Sequence, residues 1–438
     1  MNITTGNGND RIIQLMNVIF SDDVIRTNGG NDTINPGLGR DYVYGGDGLD
    51  HLILDYSVGD TGGGVDFNAG TSAWRRTSDR VDSILFSEIE QFTVTGTSKD
   101  DTFYNLTTQN SVIRAGAGND QVSIPRPIAG NLGFFDGGTG IDTLTLDLSN
   151  QTANLNLSNL LDINVSGVIR ATNFERFSLI TGSGNDTVLQ TGIVNGAVFR
   201  ANDYIQTGAG NDTVNAGLGS DTVFGGAGLD HLIVDYSIGD TGTGMRFNGS
   251  SLYGTALRNV SSTNATVLDF VTFTGIERFT VTGTSKDDTI FTSSGNDIIN
   301  AGAGNDLISG GGGGDILTGG LGVDTFQYQS YSDSLLANFD RIKDFAIGVD
   351  AIDGPRAVAA AQIKKLGYVS NLTETAIQQT LTPNNFVVNG ASTFKFRDGL
   401  SDRTFLALND SRAGFSASAD SIIEITGFTG NLNSLSIV

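Results

Sequence analysis

The sequence predicts an all-β dominated fold: a parallel β-solenoid with wider loop-bearing coils, capped by a small C-terminal α+β domain. Three observations carry that prediction. An acidic residue recurs every nine residues, with an apolar residue two places later. Longer stretches return almost unchanged further along the chain. Glycine is dense up to residue 327 and sparse after it.

The nine-residue phase is plainest in residues 301–327, which divide into AGAGNDLIS, GGGGGDILT and GGLGVDTFQ. The sixth places hold Asp306, Asp315 and Asp324, and the eighth places Ile308, Leu317 and Phe326. The same phase runs from Val18 to Ile53 (Asp23, Asp32, Asp41, Asp50) and from Val198 to Ile233 (Asp203, Asp212, Asp221, Asp230). It runs again from Gly283 to Gln327, where Asp288 and Asp297 precede the three acids already named. Isolated units surround Asp10, Asp101, Asp120, Asp142 and Asp186.

A longer repeat overlies the nines. GGDGLDHLILDYSVGDTGGG (45–64) returns as GGAGLDHLIVDYSIGDTGTG (225–244). IEQFTVTGTSKDDT (89–102) returns as IERFTVTGTSKDDT (276–289), and a weaker copy lies between them. The alternation in EQFTVTG and HLILDYS reads as strand. The wider segments read as larger coils of one stack, with Pro125 and Pro127 marking an irregularity. The organisation expected is a first module at 1–136, a degenerate middle module at 137–197, a second module at 198–327 and a cap at 328–438.

Why nines? If six residues turn and three form a strand, the eighth side chain points inward. Two nines complete a flattened coil, and coils stack at strand spacing, about 4.8 Å. Aspartates eighteen residues apart then sit one above the other and repel. A cation between successive turns resolves this. The donors on offer are carboxylate and backbone carbonyl oxygens, with no cysteine and only two histidines. Such an oxygen-only shell suits Ca²⁺ better than Zn²⁺ or Cu²⁺, and Mg²⁺ prefers to keep its waters. Glycine lets the turn carbonyls adopt backbone angles that other residues resist. The metal set expected is therefore the aspartates named above except Asp23 and Asp203, together with Gly30, Gly39, Gly48, Gly210, Gly219, Gly228, Gly304, Gly313 and Gly322. The blocks VIFSDDVIR (18–26) and VFRANDYIQ (198–206) lack those glycines.

These residues resemble the calcium-binding nonapeptide repeat GGxGxDxUx of repeats-in-toxin (RTX, hemolysin-type) proteins. The resemblance covers roughly residues 1–327 and implies a parallel β-roll with Ca²⁺ between its turns. It also implies export by type I secretion machinery, which reads an uncleaved C-terminal signal. The first residues, MNITTGNGNDRIIQLMNVIF, lack the basic region, apolar core and cleavage site of a signal peptide. About ten Ca²⁺ ions would nearly cancel the formal charge of −23. The tail, DTFQYQSYSDSLLANFDRIKDFAIGVDAIDGP (324–355) with 403–438, resembles the bluetail domain of cyanobacterial surface proteins. More distantly it is similar to the serralysin secretion region. Its implied roles are export, surface presentation and capping of an otherwise bare strand edge.

Within the tail, Asp353 and Pro355 fit the start of a helix over RAVAAAQIKKLG. Asn371 fits the N-cap of LTETAIQQTL, with Glu374 as capping-box partner. Strands are expected at FVVNG, STFKFRDG, RTFLALND, SIIEITGF and LSIV.

The acidic balance argues against nucleic acid and anionic membranes, and no apolar run reaches membrane-spanning length. There is no HExxH and no other catalytic motif, so no enzymatic activity is expected. His51 and His231 occupy matching places and read as structural. Trp74, Arg75, Arg76 and Arg80 read as a solvated loop, with a sugar- or partner-binding face as the alternative. The function expected is a secreted calcium-binding β-roll with a structural or adhesive role, self-associating or binding cell-surface polysaccharide. The alternatives are a carbohydrate-active lyase or epimerase on the same scaffold, and an ice-binding segment.

Overall fold

The computed structural model describes all residues except 15–19, 78–79, 107–109, 128–129, 131–132, 191, 195, 251, 261–267 and 400. Val18, the expected start of the first block, lies outside the described residues. The chain forms two compact units, residues 1–190 with 201–209, and residues 191–200 with 210–438.

In the first unit the nines become short parallel strands. One ladder runs through Asn2–Thr4, Val24–Arg26 and Arg40–Tyr44. The other runs through Arg11–Ile13, Thr33–Asn35, His51–Asp55, Gln91–Thr95 and Val112–Ala117. Val24 pairs with Tyr42 and Thr33 with His51, so two nines make one coil. The eighth-place residues Ile25, Ile34, Val43 and Leu52 are fully buried between the ladders.

The wider segments widen the stack without leaving it. Val65–Asn68, Ser72–Arg76 and Val81–Ser87 form an antiparallel meander. Its last strand pairs parallel with Arg40–Tyr44, and its first pairs with Thr102–Tyr104. Phe67 and Phe86 of the meander pack against Phe92 of the other ladder, Phe67 and Phe92 edge to face with ring centres 5.2 Å apart.

Arg75 corrects the solvated-loop reading. It lies on the strand Ser72–Arg76 and is 0 % exposed. Its guanidinium pairs with Asp82 at 2.8 Å and donates to the carbonyls of Tyr56 and Val58. The wider coil has an interior that backbone alone cannot fill, and the arginine closes it on carbonyls that lack strand partners.

The second unit repeats the plan. Met245–Asn248, Gly254–Asn259 and Leu268–Thr274 make the same meander, and Arg258 pairs with Asp269 beneath it. The regular coils then run through Thr289–Phe291, Leu307–Ser309 and Thr325–Gln327 on one side. On the other they run through Arg278–Thr282, Ile298–Ala303 and Ile316–Leu321.

The tail grows directly out of these ladders. Asp340–Ile342 pairs with Ile316–Leu321, and Ala351–Asp353 pairs with Thr325–Gln327. Ser421–Glu424, Ser401–Leu408, Ala391–Asp398 and Lys364–Val369 then extend the first of them. A separate core of Ile377, Leu381, Phe386, Phe394, Phe405, Phe415 and Ile422 lies under that sheet.

Three tail expectations are corrected. The helix expected over RAVAAAQIKKLG is reduced to a single 3-10 turn, Ala360–Gln362. Val358 bonds in both directions to Ile437, and Lys364–Val369 takes the free sheet edge, so pairing overrides helix propensity. The second helix is real but short, Glu374–Gln378. Its N-cap is Thr373, whose own N–H and hydroxyl donate to Asn371. FVVNG is a turn rather than a strand: Phe386 and Gly390 donate to Thr382 and Val387, and the adjacent Val387 and Val388 are both exposed.

A candidate metal centre between stacked turns

Two glycines shape each turn. In the block 45–53, Gly46 and Gly48 have φ of 102° and 145°, a region closed to most side chains. A Cβ on Gly48 would overlap the Gly30 carbonyl oxygen one coil earlier, and one on Gly313 would overlap that of Gly295. Gly228 stands over Gly210, and Gly322 over Gly304, in the same way. Gly39 instead stands over Ser21 in the glycine-poor block, and Gly219 shares the left-handed φ, at 129°. The first-place glycine does something else. A Cβ on Gly45, Gly310 or Gly319 would strike the second carboxylate oxygen of Asp50, Asp315 or Asp324 of the same block.

The sixth-place aspartates form a ladder. The N–H of Asp32 donates to Asp50 Oδ1 at 2.8 Å, and that of Asp23 to Asp41 at 3.0 Å. Asp10 donates to Asp32, Asp212 to Asp230, Asp297 to Asp315, and Asp288 through Asp306 to Asp324, all by the same bond. Asp101, Asp120 and Asp142 continue it through the first unit. Asp186 and Asp203 accept instead from Leu155 and Phe177, each at 2.8 Å. Asp221 is buried at the matching place.

Along much of this ladder one oxygen is thus used, and the other is left over. Oδ2 of Asp10, Asp32, Asp50, Asp120, Asp142, Asp230, Asp306 and Asp315 is buried and accepts no hydrogen bond. Leaving a buried carboxylate oxygen unsatisfied is costly. The strain shows in the acidity. Burial first, and neighbouring carboxylates second, push Asp41, Asp120, Asp306 and Asp315 up to about 7. Asp142 and Asp230 are pushed up to about 6 by the same causes.

Not every predicted residue has this character. Asp101 accepts from the N–H and hydroxyl of Thr97 and from the N–H of Val65. Asp288 does the same with Thr284 and Met245. Both carboxylates are therefore spent on the TGTSKDDT turn and on the first N–H of the neighbouring strand. Asp23 accepts from Ser21 at 2.7 Å and from Gln14, which satisfies the glycine-poor block with side chains. His51 and His231 each bond a threonine hydroxyl across the strand, Thr93 at 2.8 Å and Thr280 at 2.9 Å.

Two sets of residues escaped the sequence reading. Glu90, Glu175 and Glu277 accept the N–H of Asp50, Asp142 and Asp230 at 2.9, 2.9 and 2.8 Å, so glutamate supplies the rung where a wide coil follows. At left-handed positions just before them, Glu88, Asn173 and Gly275 turn their carbonyls onto Gly45, Gly137 and Gly225. A second, exposed ladder runs along the fifth places in the opposite sense. Here the downstream N–H donates upstream, Leu49 to Asn31 and Val323 to Asn305, each at 3.0 Å.

The donors fit a hard divalent cation. Among the described residues no three carboxylate, imidazole or thiol groups converge, so each turn pair offers at most two carboxylates and must complete a shell with backbone carbonyls. That is calcium chemistry rather than zinc chemistry. No curated protein matches the chain. The family model of the RTX calcium-binding nonapeptide repeat matches residues 20–52, 106–123, 199–232, 280–308 and 291–326. These segments hold most of the rungs just described. The β-roll of this chain is thus built on hemolysin-type RTX calcium-binding nonapeptide repeats.

Proposed function

We propose that the chain is an exported calcium-stabilised β-roll that serves as a structural or adhesive element at a cell surface. The observation that carries this reading is the row of buried carboxylate oxygens left without hydrogen bonds. Asp32, Asp50, Asp120, Asp142, Asp230, Asp306 and Asp315 would hold the ions, with the glycine-rich turns presenting their carbonyls. Bound Ca²⁺ supplies the positive charge that lets the stacked carboxylates remain ionised. Asp101 and Asp288 lock their own turns. Glu90, Glu175 and Glu277 close the rung at each wide coil.

The setting follows from the energetics. Sites of about 10⁻⁴–10⁻³ M stay empty at cytoplasmic calcium and fill outside. A site in tenfold excess of ligand contributes about 1.4 kcal/mol, so several coupled sites match the stability of an ordinary domain. The chain would then stay extended for a type I export channel and fold once through it. RTX repeats are typical of such proteins, and among the described residues no helix is long and apolar enough to cross a membrane. The tail serves as cap and export region in this reading.

Circular dichroism in EDTA, then with Ca²⁺, then with Mg²⁺, tests it. Disorder in EDTA and cooperative β-structure restored by Ca²⁺ alone is the expected result. Full β-structure in chelator at neutral pH would refute it.

A further inference from the structure

The two modules share a scaffold, so their differences are informative. Inward residues are kept: Tyr56, Phe67, Ala73, Arg75, Asp82 and Phe86 recur as Tyr236, Phe247, Ala256, Arg258, Asp269 and Phe273. The outward face above them is not kept. Arg40, Tyr42, Trp74, Arg76 and Leu85 correspond to Ser220, Thr222, Leu257, Asn259 and Thr272. Folding therefore does not require the first set.

In the first module these residues form one surface in cross-strand register. Tyr42 stands beside Leu85, and Leu85 beside Ser72. Arg40 stands beside Ser83, and Ser83 beside Trp74. Tyr44 lies one step along, with the Arg26 guanidinium 4.7 Å from its ring centre. These side chains are open: Tyr42 is 45 %, Trp74 47 % and Leu85 51 % exposed. The outward positions of the strands 24–26, 40–44, 81–87, 72–76 and 65–68 carry Arg26, Arg40 and Arg76 against Asp66, with Asp22 beside Arg40, whose N–H it accepts at 3.0 Å. In a chain of net charge −23, that is a local excess of cations.

We propose that this face binds an anionic polysaccharide. The apolar C–H faces of its pyranose rings lie on Trp74, Tyr42 and Tyr44, and its carboxylates pair with Arg26, Arg40 and Arg76. Aromatic faces carry negative quadrupole charge and attract the weakly positive C–H edges. Arginine matches a carboxylate with two parallel hydrogen bonds. Ser72, Ser83 and Ser87 leave the surface flat and offer hydroxyls between the rings. The proposal rests on the adhesive reading above and names what that adhesion grips.

The test uses the full chain loaded with Ca²⁺, titrated calorimetrically with a soluble polygalacturonate oligosaccharide and with its carboxyl-reduced neutral counterpart. The variant combines Arg40→Ser, Tyr42→Thr, Trp74→Leu, Arg76→Asn and Leu85→Thr, residues that the second module already accommodates. Expected are binding of the polyuronate that weakens with salt, and a loss of about tenfold or more in the variant with its circular dichroism unchanged. No binding by a correctly folded wild type overturns the proposal and leaves the calcium reading standing. Equal binding by the variant, or equal affinity for the neutral polymer, overturns it too. A chain that fails to fold on Ca²⁺ sinks the calcium reading instead.

Discussion

Glu90 stands in register with Asp50, one coil on, and its carboxylate accepts the Asp50 N–H at 2.9 Å. The longer side chain reaches back from a tighter turn to do what aspartate does between ordinary coils. Glu277 does the same for Asp230. Glu90→Ala leaves a buried N–H without an acceptor, so a loss of about 1–3 kcal/mol is expected. Glu90→Gln keeps a carbonyl acceptor and should lose less. Chemical denaturation in saturating Ca²⁺ reads both, and equal losses would argue against the rung.

Gly48→Ala forces a Cβ into the Gly30 carbonyl at a backbone angle hostile to L-residues. Gly59 also has positive φ, yet nothing lies within 4 Å of its missing Cβ. Gly59→Ala should therefore cost only the conformational strain, about 1–2 kcal/mol. Gly48→Ala should cost clearly more and lower calcium affinity as well. Melting curves across a calcium series separate the two, and matching curves would show that close stacking is unimportant.

In the ion-free roll the raised aspartates are favoured in their neutral form. Their folded values of about 6 to 7 lie above the ordinary carboxylate value of about 3.9. The stability they contribute is full below about pH 4 and is lost as pH rises through 6 to 7. In EDTA the β-signal should accordingly be strongest near pH 4 and decline toward neutrality. With Ca²⁺ present the order reverses, because deprotonation creates the ligand. A chelator profile that is flat from pH 4 to 8 would rule this out.

Arg75 and Asp82 are both buried and paired at 2.8 Å. Asp82→Asn removes one charge and strands the other, at an expected cost of about 3–5 kcal/mol. Arg75→Met together with Asp82→Asn strands no ion and should cost less than Asp82→Asn alone. A double variant less stable than either single one would contradict the assignment.

The regular coils were legible in the sequence because one rule, an inward residue after a turn aspartate, repeats without interference. The eighteen-residue offset followed from it. The wide coils were harder. IEQF, FERF and IERF each place glutamate directly before a strand, as aspartate is placed before HLIL, yet the change of residue hid the shared role. Arg75 read as solvated because charge usually is, and its partner Asp82 only becomes adjacent when the strand doubles back. In TGTSKDDT the aspartate keeps the phase while Thr97 takes up its carboxylate, which no spacing rule reveals. The tail misled through local propensity, since the alanine-rich 356–363 region precedes a strand placed by an open sheet edge.

Asp315 and Asp324 hand their N–H groups to Asp340 and Asp350, residues that belong to no nonapeptide. Trimming the chain at the last glycine-rich block would strip those acceptors and expose the flank of Ile316–Leu321. The smallest self-sufficient fragment of the second unit must therefore run through to the final strands, and any excised repeat array needs a substitute lid supplying both carboxylates.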